Sequence, residues 1–208
     1  MGYNIKQKGG VLKNNKEHIS NIINKSIMVS EKILNKSIIE KISRAGDMII
    51  DAYRKDHKVL LCGNGGSAAD AQHIAAELSG KFYRDRPPLY AEALHVNTSY
   101  LTAVSNDYSF DIVFERLVQG MGKKGDILIG LSTSGNSKNV VNAIKKASEI
   151  GMKTIGLTGE TGGKMKDITD LIIRVPSNDT PRIQEVHILI GHIICQIVEK
   201  KLFDKNCK

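Results

Sequence analysis

Apolar residues recur at helical spacing between Ile19 and Tyr53 (Ile22, Ile23, Ile27, then Ile33, Ile38, Ile42, Met48 and Ile49), and no proline interrupts them. The pattern predicts one or two helices. Their apolar surface is too small for a core of their own, so they must pack on the domain that follows or on another subunit. Beyond them, short apolar runs alternate with longer amphipathic stretches. Strands are predicted at 59–62, near 91–96, and at 127–131, 153–157 and 171–175. Between them fall helices at 67–81 and 138–150, short helices through 98–119, and a long helix at 180–202. Five strands separated by helices predict an α/β fold with a doubly wound parallel sheet. The chain divides into a flexible tail (1–18), an N-terminal helical extension (19–55) and an α/β domain (56–203).

Two strand ends carry unusual punctuation. Gly63-Asn64-Gly65-Gly66-Ser67 follows the run at 59–62, and Ser132-Thr133-Ser134-Gly135-Asn136-Ser137 follows the run at 127–131. Each is a strand emptying through a Gly/Ser turn onto a helix N-terminus, where backbone N–H groups, hydroxyls and the positive end of the helix dipole converge on an anion. Neither is a P-loop or a dinucleotide fingerprint, so a phosphorylated small molecule is the simpler ligand. In open parallel sheets, ligands bind beyond the carboxyl ends of the strands, which is where both turns fall.

Composition narrows the choice of partner. A formal net charge of +8 comes from scattered lysines without a dense patch, and four Phe, six Tyr and no Trp offer little for base stacking. The expectation is attraction of anionic metabolites and no nucleic acid. No apolar run is long enough to span a bilayer, and residues 1–20 lack the apolar block of a signal peptide, so the expected place is the cytoplasm. Cys62, Cys195 and Cys207 are odd in number and have no metal-type spacing, which predicts reduced, structural thiols.

Among candidate chemical groups, His73 and Glu77 share one face of the helix that begins at the first turn. Such a pair can bind a divalent metal, share proton transfer or simply sit solvated. The C-terminal helix carries Gln184, Glu185, His187 and His192 among many apolar residues, and its histidines fit either a site or a hydrogen-bonded place in a core or interface. Gln184 and His192 lie about 12 Å apart along the axis at ~1.5 Å per residue, so the expectation is that they serve two different sites, the second across a subunit interface. Four hydroxyls (Ser132, Thr133, Ser134 and Ser137) exceed what one helix cap needs and favour anion binding. Asn106 and Asp107 are placed in a turn after the second strand, where an Asx turn explains them equally well.

Together these motifs, with Asp70-Ala71-Gln72-His73, Ser105-Asn106-Asp107 and Arg182-Ile183-Gln184-Glu185-Val186-His187, resemble the sugar isomerase (SIS) domain family. Within it they are similar to the members that isomerise sedoheptulose 7-phosphate. The match runs from about Ile33 to Leu202, and several separated motifs in order make it specific. The resemblance implies a flavodoxin-like sheet and interconversion of sedoheptulose 7-phosphate with D-glycero-D-manno-heptose 7-phosphate, toward the heptoses of bacterial lipopolysaccharide or capsule. It also implies a cytoplasmic homotetramer with active sites at subunit interfaces and one zinc ion per subunit, held by His73, Glu77, Gln184 and His192.

Carried over by motif, the implied substrate contacts are Asn64, Gly65, Gly66, Glu77, Asn106, Asp107, Ser132, Thr133, Ser134, Ser137 and Gln184, and the catalytic pair is Glu77 and His192. The chain departs from the pattern at Pro181, where some members carry an acidic residue, so a hydroxyl contact is lost or passes to Thr180. Two rival readings share the fold. A non-catalytic relative that binds a replication initiator lacks the active glutamate and histidine that this chain keeps, and a sugar-phosphate sensor would bind its ligand without turnover.

Overall fold

The computed structural model describes residues 15–204; residues 1–14 of the expected tail, and Cys207, lie outside the described residues. Helix α1 (Asn15–Lys32) begins within the segment expected to be tail, so residues 15–18 are helical, with Glu17 in the first turn where the helix dipole favours an acid. After a short turn, α2 (Lys36–Tyr53) is capped by Asn35, whose side chain accepts from the Ser37 N–H. There are thus two helices in the N-terminal segment. They differ in what they bury: α2 sinks Ile42, Ala45, Gly46, Ile49, Ile50 and Ala52, whereas α1 buries only Val29.

The sheet follows the predicted alternation. Strands β1 (Val59–Cys62), β2 (Ala91–Ala93), β3 (Ile127–Ser132), β4 (Lys153–Thr158) and β5 (Leu171–Arg174) are all parallel, in the order β2-β1-β3-β4-β5. Their connections are α3 (Gly66–Ser79), α4 (Thr98–Asp107), α5 (Val113–Met121) and α6 (Lys138–Glu149), with 3₁₀ turns at Phe110–Ile112 and Gly163–Asp167, and α7 (Thr180–Phe203) closes the chain.

The central strands are buried on both faces, so they read as continuous apolar runs. Val59 and Leu61 of β1 join one core layer under α2, α3 and α7, while Leu60 and Cys62 join the other under α4, α5 and α6. Helix α2 therefore belongs to the same core as the sheet. Its Gly46 lies so close to α7 that an added Cβ would come within 2.9 Å of the Ile197 side chain. Strand order reverses between β1 and β3, and in sheets of this kind the crevice that takes a ligand lies beyond the carboxyl ends at that switch point. Both Gly/Ser turns leave the sheet there.

Candidate active site

The first turn keeps its helix end open. Gly65 precedes α3 with φ +54, a left-handed conformation that suits glycine, and no side chain caps the helix. A Cβ on Gly66 would come within 2.5 Å of the Gln184 amide, so the absence of a side chain lets α7 lay its carboxamide directly over the start of α3.

The second turn is equally open. Ser137 occupies the N-cap position of α6 without making the capping bond; its hydroxyl lies 3.0 Å from that of Ser132, which is 3.4 Å from that of Ser134. Ser137 is thus not consumed by capping, and although the Val140 N–H is taken by Asn139 Oδ1, the N–H groups of Lys138 and Asn139 at the start of the helix remain for an anion. Behind them, Gly135 (φ +65) packs against Gly162 and Gly163, so that a Cβ there would strike the Gly162 carbonyl at 2.1 Å. The Asn136 side chain accepts from the Lys164 N–H, which pins the turn to the 3₁₀ segment.

Further along α3 a second group of side chains converges. His73 Nε2 lies 3.1 Å from Glu77 Oε1 and 3.4 Å from His192 Nε2 of α7, with the two imidazole rings edge to face at 4.9 Å. One ligand atom from each of the three side chains falls within 4.8 Å of the others. Two imidazole nitrogens facing each other beside a carboxylate oxygen form a donor set that suits a divalent ion such as zinc. Phe82 covers one side, its ring 5.7 Å from that of His192.

Gln184, the expected fourth ligand, is at the other end of the helix pair. It lies over Gly66, seven residues or about 10 Å up α3 from His73 at ~1.5 Å per residue. Within one chain, then, His192 joins the histidine–glutamate group while Gln184 joins the first turn.

Asn106 and Asp107 do not occupy a free turn. They form the last two residues of α4, a helix capped at its start by Asn97, and Asn106 Nδ2 donates to Asp107 Oδ1 at 2.9 Å on an exposed surface. The cap at Asn97 and the run Tyr100, Leu101, Val104 extend helical structure through them. Pro181 falls in the first turn of α7, the place that suits proline.

Polar groups near the site show the effect of burial. Asp70, on α3 one turn before His73, is pushed up to about 6 by burial, with His73 opposing the shift, and its Oδ2 is enclosed without a hydrogen-bond partner among the described residues. Burial pushes His187 down to about 4; the Thr158 backbone opposes the shift without meeting hydrogen-bond geometry. His187 therefore belongs to the core, one of the two places its surroundings in the sequence allow. The Cys62 and Cys195 thiols are free and buried, and burial pushes both up to about 12, which makes them inert.

Two further residues support the site. Asn139, in the first turn of α6, exchanges a pair of hydrogen bonds with Asn64. Arg86 donates to the backbone carbonyls of Glu77 and Leu78 and pairs with Glu199 of α7. Neither follows a spacing rule, because the side-chain partners, Asn64 and Glu199, lie far away in sequence. The available signals were an extra Asn just inside a helix and an arginine in a proline-bounded loop.

The SIS domain family model matches residues 22–159. A phosphoheptose isomerase from Clostridium acetobutylicum is 57% identical over 192 residues, covering 92% of this chain and 98% of that protein. The structure is similar to that of a phosphoheptose isomerase from Neisseria gonorrhoeae, with 42% identity and a TM-score of 0.85 over 90% of this chain and all of that one. It is also similar to that of a phosphoheptose isomerase from Francisella tularensis, at 36% identity and a TM-score of 0.87 with the same coverage.

Proposed function

Because this chain belongs to the SIS domain family, in its phosphoheptose isomerase branch, we propose that it interconverts sedoheptulose 7-phosphate and D-glycero-D-manno-heptose 7-phosphate in the cytoplasm, feeding the heptoses of lipopolysaccharide or capsule. The observation that carries this reading is the meeting of His73 and Glu77, on the helix α3 that starts at the first Gly/Ser turn, with His192 of α7.

Ser132, Thr133, Ser134 and Ser137 receive the phosphate at the open end of α6. Asn64, Gly65, Gly66 and Gln184 hold the sugar at the start of α3, with Asn106 and Asp107 as further contacts. Aldose–ketose exchange requires a base for the proton beside the carbonyl, stabilisation of an enediolate, and return of a proton to the neighbouring carbon. Glu77 takes the proton from C1 of the ketose, and His192 returns one at C2. The substrate is a net isomer of the product, so no co-reactant is needed.

The donor set suits zinc, held by His73, Glu77 and His192, with Gln184 of a neighbouring copy as the fourth ligand across an interface. Bound there, the ion would polarise the carbonyl oxygen. Assembly into a homotetramer is supported by the exposed apolar stripe on α1 and α7, where Ile19, Ile22, Ile23, Ile27 and Leu189 lack cover.

Turnover of sedoheptulose 7-phosphate by purified protein, followed by NMR with and without a chelator, tests the assignment. Formation of the aldoheptose phosphate that slows on chelation is the expected result. A metal-replete protein that binds the sugar phosphate without converting it would be a sensor on an isomerase fold.

A further inference from the structure

Asn139 is 3% exposed, one of few polar side chains enclosed in the interior. Its carboxamide forms a closed pair with that of Asn64. Asn64 Nδ2 donates to Asn139 Oδ1 at 2.8 Å, and Asn139 Nδ2 donates to Asn64 Oδ1 at 2.9 Å. The orientation of the pair is set by a third bond: the Val140 backbone N–H donates to Asn139 Oδ1 at 2.9 Å, and a flipped amide would oppose two donors there.

The location of the pair gives it consequence. Asn64 lies in the turn after β1, and Asn139 lies in the helix entered from β3. These strands are the neighbours that flank the crevice, so the two amides tie one anion-binding turn to the other across 75 residues of chain. Once paired, the Asn64 carboxamide keeps one N–H and one oxygen lone pair uncommitted.

We propose that Asn139 is a positioning residue, which holds the Asn64 carboxamide in one orientation so that its free N–H and lone pair meet a hydroxyl or phosphate oxygen of the sugar phosphate. It also sets the spacing between the two turns and hence the length of sugar phosphate that fits. This inference rests on the reading of Asn64 as a substrate contact. Asn139 acts only through Asn64, so its removal costs nothing further once Asn64 is gone.

A double-mutant cycle tests this directly. KM, kcat and Tm are measured for Asn64→Ala, Asn139→Ala and the double variant, with sedoheptulose 7-phosphate as substrate. Each single change is expected to raise KM about tenfold, the scale of one lost hydrogen bond, with a smaller change in kcat. The double variant should lie within about twofold of Asn64→Ala, whereas independent roles would multiply to about a hundredfold and overturn the proposal.

Asn139→Asp still accepts from Asn64 and Val140 but sets a carboxylate oxygen against Asn64 Oδ1. It should raise KM and, as an enclosed carboxylate, lower Tm, and it carries the same cycle, at a temperature where circular dichroism shows it folded, if the alanine variant does not fold. An unchanged KM in both Asn139 variants beside a raised KM in Asn64→Ala would refute the positioning role alone. An unchanged KM in Asn64→Ala would refute the substrate contact itself, and this inference with it.

Discussion

A buried ion pair ties the loop between α3 and β2 to α7, and the effect of its loss can be worked out from its contacts. The Arg86 and Glu199 side chains are 2% and 3% exposed, and Arg86 Nε donates to Glu199 Oε1 at 3.1 Å. The same guanidinium donates to the carbonyls of Leu78 and Glu77, each at 2.9 Å, and lies 5.5 Å from the Phe203 ring. The other Glu199 oxygen accepts from the Tyr83 N–H at 3.0 Å. Arg86→Ala therefore leaves a buried carboxylate short of its cation and strips two carbonyls at the end of α3. Removing one partner of such a pair costs roughly 3–5 kcal/mol. At about 2–4 °C per kcal/mol for a chain of this size, Tm should fall by roughly 6–20 °C.

Arg86→Lys should recover only part of this, because one ammonium cannot reproduce a planar fork reaching two helices. Arg86→Met with Glu199→Leu should recover most of the stability while still losing the grip on the Glu77 backbone. Thermal unfolding by circular dichroism reads the first effect, and kcat at a permissive temperature reads the second. A Tm loss under about 2 °C for Arg86→Ala would refute the reasoning, since it would mean that the pair contributes no more than an exposed one.

Gly66→Ala places a methyl group where the Gln184 amide now lies, 2.5 Å from its Nε2; KM should rise with helical content unchanged, and an unaltered KM would show that Gln184 and Gly66 take no part in binding. His187 is neutral and buried in the fold, with its proton affinity lowered from 6.5 to about 4, so below pH 6.5 the unfolded chain binds a proton that the folded chain refuses. Stability should fall by on the order of 2 kcal/mol between pH 7 and pH 5, and urea titrations of His187→Asn at both pH values should lack that part of the slope. Ile23→Asp on the exposed face of α1 should shift the sedimentation coefficient toward smaller species; unchanged sedimentation would move the subunit interface elsewhere.

Much of the fold was legible because its signals are local. The apolar run at 59–62 is β1 to the residue, since a buried parallel strand needs apolar side chains on both faces. The Gly/Ser turns were legible for the same reason: open helix ends at strand termini leave a dense string of small residues. The start of α1 was not, because Asn15, Lys16 and Glu17 make a first turn from polar residues that carry no apolar period. Asn106 and Asp107 look like turn residues by type, and only the cap at Asn97 and the packing of Val104 carry the helix through them. Asn139 and Arg86 escape a sequence reading because their side-chain partners, Asn64 and Glu199, lie 75 and 113 residues away, distances over which no spacing rule holds. The grouping of His192 with His73 and Glu77, and of Gln184 with Gly66, follows from α3 and α7 packing side by side, which helix spacing alone could only bound.

The measurement closest to the central claim is turnover of sedoheptulose 7-phosphate in D₂O, with deuterium located in the product by NMR for the wild type, Glu77→Gln and His192→Gln. The account predicts deuterium at C2 of the aldoheptose phosphate made by the wild type, and loss of most turnover in both variants while each still binds the sugar phosphate. Product without solvent deuterium at C2, formed at an undiminished rate by Glu77→Gln, would contradict it.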